Sequence, residues 1–127
     1  MSNWQPPPQP DPSWMNVMPS SEEERSLALL SHLGGILTSF LVPLIIWRKH
    51  RFRSPFVCGH SQEALNFQLT MLIPLVITVL CVVFIRIDEV IVLPPAVLTV
   101  NIVYAILAAR AATQSLAYRY PLCMHFI

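Results

Sequence analysis

Three long stretches of the chain contain no Asp, Glu, Lys or Arg. They cover residues 26–47, 64–85 and 90–109. Each has about the length that an α-helix needs to cross a hydrocarbon core of roughly 30 Å at 1.5 Å per residue. The pattern predicts an all-α fold, an integral membrane bundle of three transmembrane helices in a lipid bilayer.

Short polar stretches mark where the predicted helices begin and connect. Ser21 and Glu24 match a capping box, so the first helix is expected to start outside the membrane. Ser54 followed by Pro55 is typical of an N-cap and a first helical residue, so the second helix is expected to begin before its apolar part. The connection at residues 86–89 is so short that spans two and three are predicted to form an antiparallel helical hairpin.

Proline placement refines the domain boundaries and the spans. Pro43 lies one turn before Trp47 and is expected to bend the first span near the interface. Pro94 and Pro95 lie at the start of the third span, where a helix tolerates proline best. Residues 1–20 are rich in proline and are predicted to form a disordered tail, which leaves residues 21–127 as the transmembrane helical domain.

Composition supports a membrane class. Hydrophobic residues make up 54% of the chain and charged residues only 12%, against about a quarter charged in soluble domains. The net charge of +1 produces no strong field, so nucleic acid is not an expected partner. The odd count of three cysteines, with Cys81 inside a span, argues against a disulfide framework.

Positive charge is concentrated directly after the first span. Four cationic residues follow it within six positions: Arg48, Lys49, Arg51 and Arg53. By the positive-inside rule this loop is predicted to be cytoplasmic. With three crossings, the N-terminus is then expected outside and the C-terminus in the cytoplasm.

Small residues recur at helical spacing on two of the spans. Those expected to form packing faces are Ser31, Gly34, Gly35 and Ser39 on the first span, and Ala105 and Ala109 on the third. Small side chains let helix backbones approach closely. The two faces are predicted to pack against each other, against a second copy in a homo-oligomer, or against other membrane proteins.

The densest polar block lies at residues 60–68, where the second helix enters the membrane. His60, Glu63 and Asn66 share one helix face at 100° per residue, and Gln68 follows them. Two interpretations are open. The block is either a small polar site where an acid, an imidazole and an amide converge, or a boundary where these groups satisfy one another and the basic loop.

Other candidate chemistry is sparse. The chain has no paired Cys or His spacing typical of zinc, no catalytic triad order and no phosphate-binding loop, so no metal, cofactor or enzymatic activity is expected. His32 stands alone in its span and is expected to form an interhelical hydrogen bond. Asn101 is expected to find a partner on another helix, such as Thr70, Thr78 or a hydroxyl of the first span.

Four blocks of sequence carry a family resemblance: Pro43-Leu44-Ile45-Ile46-Trp47, Ser54-Pro55-Phe56-Val57, His60 with Glu63-Ala64-Leu65-Asn66-Phe67-Gln68, and Tyr118-Arg119-Tyr120-Pro121-Leu122 with Phe126-Ile127. They resemble small bacterial membrane proteins of unassigned function that are distantly similar to the membrane subunit of the chloroplast inner-envelope import translocon (Tic). The resemblance covers residues 22–127 and implies a compact helical domain in a bacterial cytoplasmic membrane. Cys58-Gly59 and His125 depart from the family's usual acidic and basic residues.

The functional expectation is a small membrane protein that acts through helix packing, as a subunit or scaffold of a larger assembly. One alternative is an oligomeric transport or protein-translocation component, which the translocon resemblance favours. Another is a membrane-bound metal or enzyme site at His60 and Glu63.

Overall fold

The computed structural model describes residues 15–19, 21–86, 88–121 and 123–127, and the regular structure within them is helical. Four α-helices follow one another: α1 (Glu22–Thr38), α2 (Leu41–His50), α3 (Pro55–Leu80) and α4 (Leu93–Thr113). A π-helical turn, Cys81–Ile85, extends α3, and a 3-10 turn, Asp88–Val92, leads into α4. The predicted all-α class is confirmed.

α1 begins as its capping sequence predicts. The Ser21 hydroxyl accepts a hydrogen bond from the backbone N–H of Glu24 at 3.3 Å. Acidic residues fill the first turn, where the helix dipole favours negative charge. Glu22 also forms an ion pair with Arg25 one turn further on.

The predicted first span, residues 26–47, is not one helix. α1 ends at Thr38, Ser39 adopts a positive φ of 58°, and a new helix follows. Pro43 explains the break, because it has no N–H to donate to the carbonyl of Ser39 and therefore fits only in the first turn of a new helix. The bend expected near Trp47 is instead a complete break further upstream.

α2 folds back against α1 rather than extending it. A Cβ atom built on Gly34 would lie 2.4 Å from Cγ1 of Val42, whereas residues eight apart in one helix are separated by about 12 Å. The Thr38 hydroxyl holds the turn, because it donates to the Gly34 carbonyl at 2.8 Å and accepts from the Val42 N–H at 3.2 Å. α1 and α2 therefore form a tight helical hairpin.

α3 and α4 are the long apolar helices. The Ser54 hydroxyl caps α3 by accepting from the N–H of Val57 at 3.2 Å, and Pro55 is the first helical residue, as predicted. By length and composition, Pro55–Ile85 and Asp88–Thr113 are apolar enough to cross a membrane, and they contain the predicted spans 64–85 and 90–109. The described residues thus supply two helices of spanning length rather than three.

Contacts between helices fix their directions. Ala28 of α1 packs with Phe56 at the start of α3 and Ala112 at the end of α4. Further along α1, His32 meets His60 of α3. α1 therefore runs parallel to α3 and antiparallel to α4. The start of α1 and the end of α4 lie at the same end of the bundle, whereas three crossings would place them at opposite ends.

We call this shared end the basic end, because seven of the eight Lys and Arg residues lie on the helix ends and segments that meet there. They are Arg25, Arg48, Lys49, Arg51, Arg53, Arg110 and Arg119. The remaining one, Arg86, lies in the α3–α4 connection at the opposite end. Charge is therefore strongly segregated along the axis of the bundle.

The interior is small and alanine-rich on the α4 side. Ala105, Ala108, Ala109 and Ala112 are buried against the other helices, and Ala105 and Ala109 belong to the predicted small-residue face of α4. From the predicted tail, Val17 packs on the cluster that contains Ala28. Residues 1–14 and 20 of that tail lie outside the described residues.

The outer surface of α3 and α4 is apolar. Large side chains with a third to three quarters of their surface exposed include Val76, Val79, Val83, Phe84, Leu98, Val103 and Ile106. Apolar side chains exposed around two long helices fit a hydrocarbon surrounding rather than water.

Candidate functional site

A cluster of polar side chains lies inside the basic half of the bundle, between α1, α3 and the chain that follows α4. We call that chain, residues 116–121 and 123–127, the returning segment. It has no regular secondary structure in its described residues. Its backbone polar groups therefore need partners outside a helix, and side chains of α3 provide several of them.

A line of three buried side chains joins α1, α3 and the returning segment. Nε2 of His32 lies 2.9 Å from Nδ1 of His60, and Nδ1 of His32 lies 2.8 Å from the hydroxyl oxygen of Tyr120. The two histidines are 0% exposed and the tyrosine 4%. His32 thus makes the interhelical hydrogen bond expected of it, and the partner is one of the predicted site residues.

Glu63 is the buried acid of the cluster, with only 2% of its side chain exposed. Its Oε2 accepts from the backbone N–H of Tyr120 at 3.3 Å, and its Oε1 lies 3.1 Å from Nε2 of His125. The Arg119 guanidinium, with Nε at 3.8 Å, supplies a nearby positive charge. A buried carboxylate needs such partners, because an isolated charge removed from water is costly.

Asn66 and Thr70 continue the row of acceptors along α3. The amide oxygen of Asn66 accepts from the N–H groups of Phe126 at 2.9 Å and Ile127 at 3.1 Å. The Thr70 hydroxyl accepts from the N–H of Met124 at 3.0 Å. Spacings of three and four residues place Glu63, Asn66 and Thr70 on one helix face, so together they bind the backbone of the returning segment.

Gln68 belongs to a different contact, between α3 and α4. Its side-chain amide pairs reciprocally with that of Asn101, at 2.9 and 3.0 Å. Asn101 thus finds its partner on another helix, as expected, but that partner is the amide of Gln68 rather than Thr70, Thr78 or a hydroxyl of the first span. The four predicted polar residues therefore belong to two separate sets of contacts. His60, Glu63 and Asn66 belong to the cluster, and Gln68 belongs to the amide pair.

Burial alters the acidity of side chains in the returning segment, among them Tyr120 and Cys123. Burial, followed by the neighbouring Tyr118, Cys123 and Glu63, raises the pKa of Tyr120 well above its usual range. Burial and the charge of Glu63 raise the pKa of the Cys123 thiol to about 11. Both groups are therefore protonated near neutral pH, so Tyr120 acts as a hydrogen-bonding hydroxyl and Cys123 is a poor nucleophile.

The cysteines are unpaired, and the described side chains form no metal site. Cys58, Cys81 and Cys123 are free thiols. Within the described ranges, which omit residues 1–14, 20, 87 and 122, no three His, Cys, Asp or Glu side chains converge as a metal site would require. The imidazole of His60 and the carboxylate of Glu63 point instead to partners within the chain.

The predicted packing residues are placed inside the molecule. Ser31, Gly34 and Gly35 of α1 are buried, as are Ala105 and Ala109 of α4, whereas Ser39 forms the turn between α1 and α2. A Cβ on Gly35 would lie 2.7 Å from Nε2 of Gln68. The α1 stripe is thus used within the chain, against α2 on one side and the amide pair on the other.

The predicted topology residues are exposed at the basic end. Arg48 and Lys49 end α2, and Arg51 and Arg53 lie in the turn before α3. The guanidinium carbon of Arg51 lies 5.3 Å from the ring centre of Trp47 and 4.6 Å from that of Phe52. This arrangement combines cation and aromatic surface at one point.

Sequence reasoning missed the returning segment as the partner of the polar block. It identified Glu63 and Asn66 on α3 but paired neither of them with the residues that follow α4. One signal was available: a row of Glu, Asn and Thr on an otherwise apolar helix requires donors, and a non-helical segment following α4 has N–H groups to spare.

These features define a class: a small helical membrane protein with two long apolar helices, a folded-back helical hairpin and an internal polar cluster. Within that class, the chain belongs to the magnetosome magnetite crystal formation protein family, whose profile matches residues 23–127. This agrees with the expected small bacterial membrane protein, while the translocon likeness is not part of the match. No curated protein and no solved structure matches the chain.

Proposed function

We propose that this chain is a non-enzymatic scaffold subunit of the magnetosome membrane that supports magnetite crystal formation through its surfaces. The process, magnetite crystal formation, is the one for which its family is named. The observation that carries the scaffold role is that the polar block of α3 binds the returning segment of the same chain, with Asn66 and Thr70 holding three of its backbone N–H groups. The polar groups stabilise the fold, and the apolar exterior is left for lipid and neighbouring helices.

The same geometry weighs against a conducting path through the bundle. The hydroxyl of Thr70 donates to the carbonyl of Asn66, and that of Thr78 donates to the carbonyl of Pro74, each at 2.8 Å. Asn101 is engaged by Gln68. The polar side chains that would line a path are thus turned onto their own helices or one another, so the scaffold is favoured over the transport alternative.

The two long helices and the folded-back hairpin also suggest an orientation. We infer that the basic end faces the cytoplasm, so that the start of α1, the α2–α3 turn and the returning segment all lie on that side. Positive charge on one side of the bundle supports this inference, since short cytoplasmic loops carry an excess of Lys and Arg.

Deletion of the gene in a magnetite-forming bacterium tests the function. We expect the magnetite mass per cell to fall at unchanged growth, and expression of the intact chain in the deletion strain to restore it. Electron microscopy of crystal length and iron analysis measure the outcome. Normal crystals without the chain would overturn the proposal.

Matched substitutions separate a scaffold from an enzyme. Glu63→Gln removes the charge of the buried acid, and Glu23→Gln removes that of an exposed acid on α1. If the chain is a scaffold, both variants restore magnetite whenever their membrane levels match that of the intact chain. Loss of magnetite with Glu63→Gln at normal level and location would instead support chemistry at Glu63.

A further inference from the structure

The surface at the end of α2 combines charge, aromatic rings and apolar side chains in a way that the scaffold role does not explain. We propose that Arg48, Lys49, Arg51 and Arg53, with Trp47, form a binding surface for anionic phospholipid headgroups. We call this surface the α2 basic surface. The proposal does not depend on the proposed role in crystal formation.

Charge is the first reason. All four cationic side chains are exposed. The ion pairs among the described residues involve Arg25, Arg119 and His125, and none of them involves these four. The four charges are therefore available to an external anion, and they lie close enough together to act as one patch.

The position of α2 is the second reason. Pro43 and Ile46 face the bundle, while Leu41 and Ile45 are more than half exposed on the opposite side. Because α2 turns back towards the basic end, its apolar outer side leads directly to Arg48. A short helix with an apolar outer side that ends in a basic cluster is suited to the membrane interface.

The aromatic residues supply a depth marker. Phe52 is 87% exposed, and the Arg51 guanidinium carbon lies 4.6 Å from its ring centre and 5.3 Å from that of Trp47. Tryptophan favours the headgroup level of a bilayer, where one side of the ring meets apolar chains and the other meets polar groups. The cations of the α2 basic surface would then be held at the depth of lipid phosphates.

The phosphate-bearing headgroup of an anionic lipid is therefore the occupant that this surface fits best. An acidic protein partner would satisfy the charges, but it would not account for the exposed apolar side of α2 beside them. Nucleic acid would meet the same objection. Of these three partners, only an anionic lipid matches both the positive charge and the exposed apolar side of α2.

Quenching of Trp47 fluorescence by brominated lipid tests the proposal on the full chain. Replacing Trp4 and Trp14 by Phe leaves Trp47 as the single tryptophan. The protein is placed in nanodiscs of phosphatidylcholine with one fifth phosphatidylglycerol. Bromine is carried either by the phosphatidylglycerol or by an equal amount of the phosphatidylcholine, so the surface charge is the same in both samples.

We expect brominated phosphatidylglycerol to quench Trp47 at least about twofold more than brominated phosphatidylcholine, because anionic lipid is enriched around the basic residues. Replacing the four cations by Gln should bring the ratio to one. The matched control, Arg86→Gln with Arg110→Gln, should leave the ratio unchanged. About 0.5 M salt should also lower it in the unaltered protein, since the screening length is then only a few Å.

Equal quenching by the two lipids in the unaltered protein would overturn the proposal, as would a ratio that survives loss of the four cations. If the variant with all four replacements does not fold, the quenching ratio is measured instead for the single variant Arg51→Gln and for the unaltered protein at increasing salt. A ratio that neither change lowers would also refute the α2 basic surface.

Discussion

At the scale of single residues, two glycines and one threonine allow the first half of the chain to fold back as a helical hairpin. Gly34 lets Val42 of α2 come close to α1, and Gly35 leaves room for the amide of Gln68. Thr38 bonds on both sides of the break. The glycines are needed for space rather than for their backbone freedom, since both lie inside a regular helix.

Gly34→Ala should destabilise the fold. The added methyl group would lie 2.4 Å from Cγ1 and 2.8 Å from Cβ of Val42, so a rotation of the valine cannot remove the clash and α2 must move. Overpacking of this kind costs about 1–3 kcal/mol. The measurement is the apparent unfolding temperature in detergent, with Leu37→Ala, 88% exposed on the same helix, as the control. Equal unfolding temperatures for the two variants would contradict the close packing of α1 and α2.

Cys123 offers a test of the buried charge of Glu63. A thiol pKa of about 11, against the ordinary 9.0, leaves about a hundredfold less thiolate at neutral pH, so alkylation should be slow and should rise with pH. Glu63→Gln removes one cause of the shift and should speed the reaction. Peptide-resolved mass spectrometry of maleimide labelling measures the rate, with an exposed Arg110→Cys thiol as the reference. A Cys123 rate equal to the reference would refute the shielded environment.

At the scale of elements, different faces of α3 have different partners. One face binds the returning segment through Glu63, Asn66 and Thr70, a second joins α4 through Gln68, and the outer face is apolar. Polar bonds hold the basic half together, while the far half is covered by branched apolar side chains. This division places the polar cluster next to the end of the bundle where water is closest.

The amide pair between α3 and α4 should contribute measurably to stability. Asn101→Leu leaves the amide of Gln68 without a partner, and such a loss costs about 1–3 kcal/mol. The double variant with Gln68→Leu should recover part of the lost stability. The coupling free energy between the two side chains should then be roughly 0.6–1.7 kcal/mol. Denaturant titration in detergent measures both. Thr99→Ala is the control, because that hydroxyl bonds only within α4.

An unchanged stability of Asn101→Leu, or single-variant losses that simply add in the double variant, would show that the two amides do not act as a pair. The control matters because any polar-to-apolar change on a membrane helix alters its solvation. Thr99 is exposed and its hydroxyl bonds only to the carbonyl of Pro95 in its own helix, so its replacement reports that effect without the loss of a bond between helices.

How far the elements follow from sequence can be judged from α2 and α3. The capping signals at Ser21 and Ser54 are local, and both helix starts were predictable from them. The apolar run from residue 26 to 47 looked like a span, because hydropathy counts side chains and ignores the backbone. Pro43 indicated a disturbance, but the size of the break depends on Thr38, Gly34 and the packing of α2, which are tertiary contacts.

The polar cluster shows the same limit. The shared face of His60, Glu63 and Asn66 follows from helical periodicity. Its partners lie more than fifty residues away along the chain for Glu63 and Asn66, and twenty-eight away for His60. One sequence gives no means of pairing such distant donors and acceptors, so the choice between an open site and an internally bonded one required the fold.

At the scale of the whole molecule, the folded-back hairpin changes the expected topology. Two spanning helices and one hairpin that enters and leaves at the same end bring the start of α1 and the end of α4 together. Glu22 and Thr113 line the same small surface pocket, which is direct support for that arrangement. All but one of the Lys and Arg residues then share a side, which makes the charge asymmetry larger than three spans would give.

Cysteine accessibility tests this arrangement in intact cells of a bacterium that forms no magnetosomes, with the chain expressed in the cytoplasmic membrane. In a chain whose own cysteines are replaced by Ser, single reporters are introduced as Ser26→Cys in α1, Gln114→Cys after α4 and Glu89→Cys in the α3–α4 connection, all at exposed positions. With the basic end in the cytoplasm, an impermeant maleimide should label the reporter at 89 in closed cells and the other two only after the membrane is opened. Three crossings predict instead that the reporters at 26 and 114 differ, because their positions would lie on opposite sides. Labelling at 26 but not at 114 would therefore restore the three-span topology and refute the folded-back hairpin.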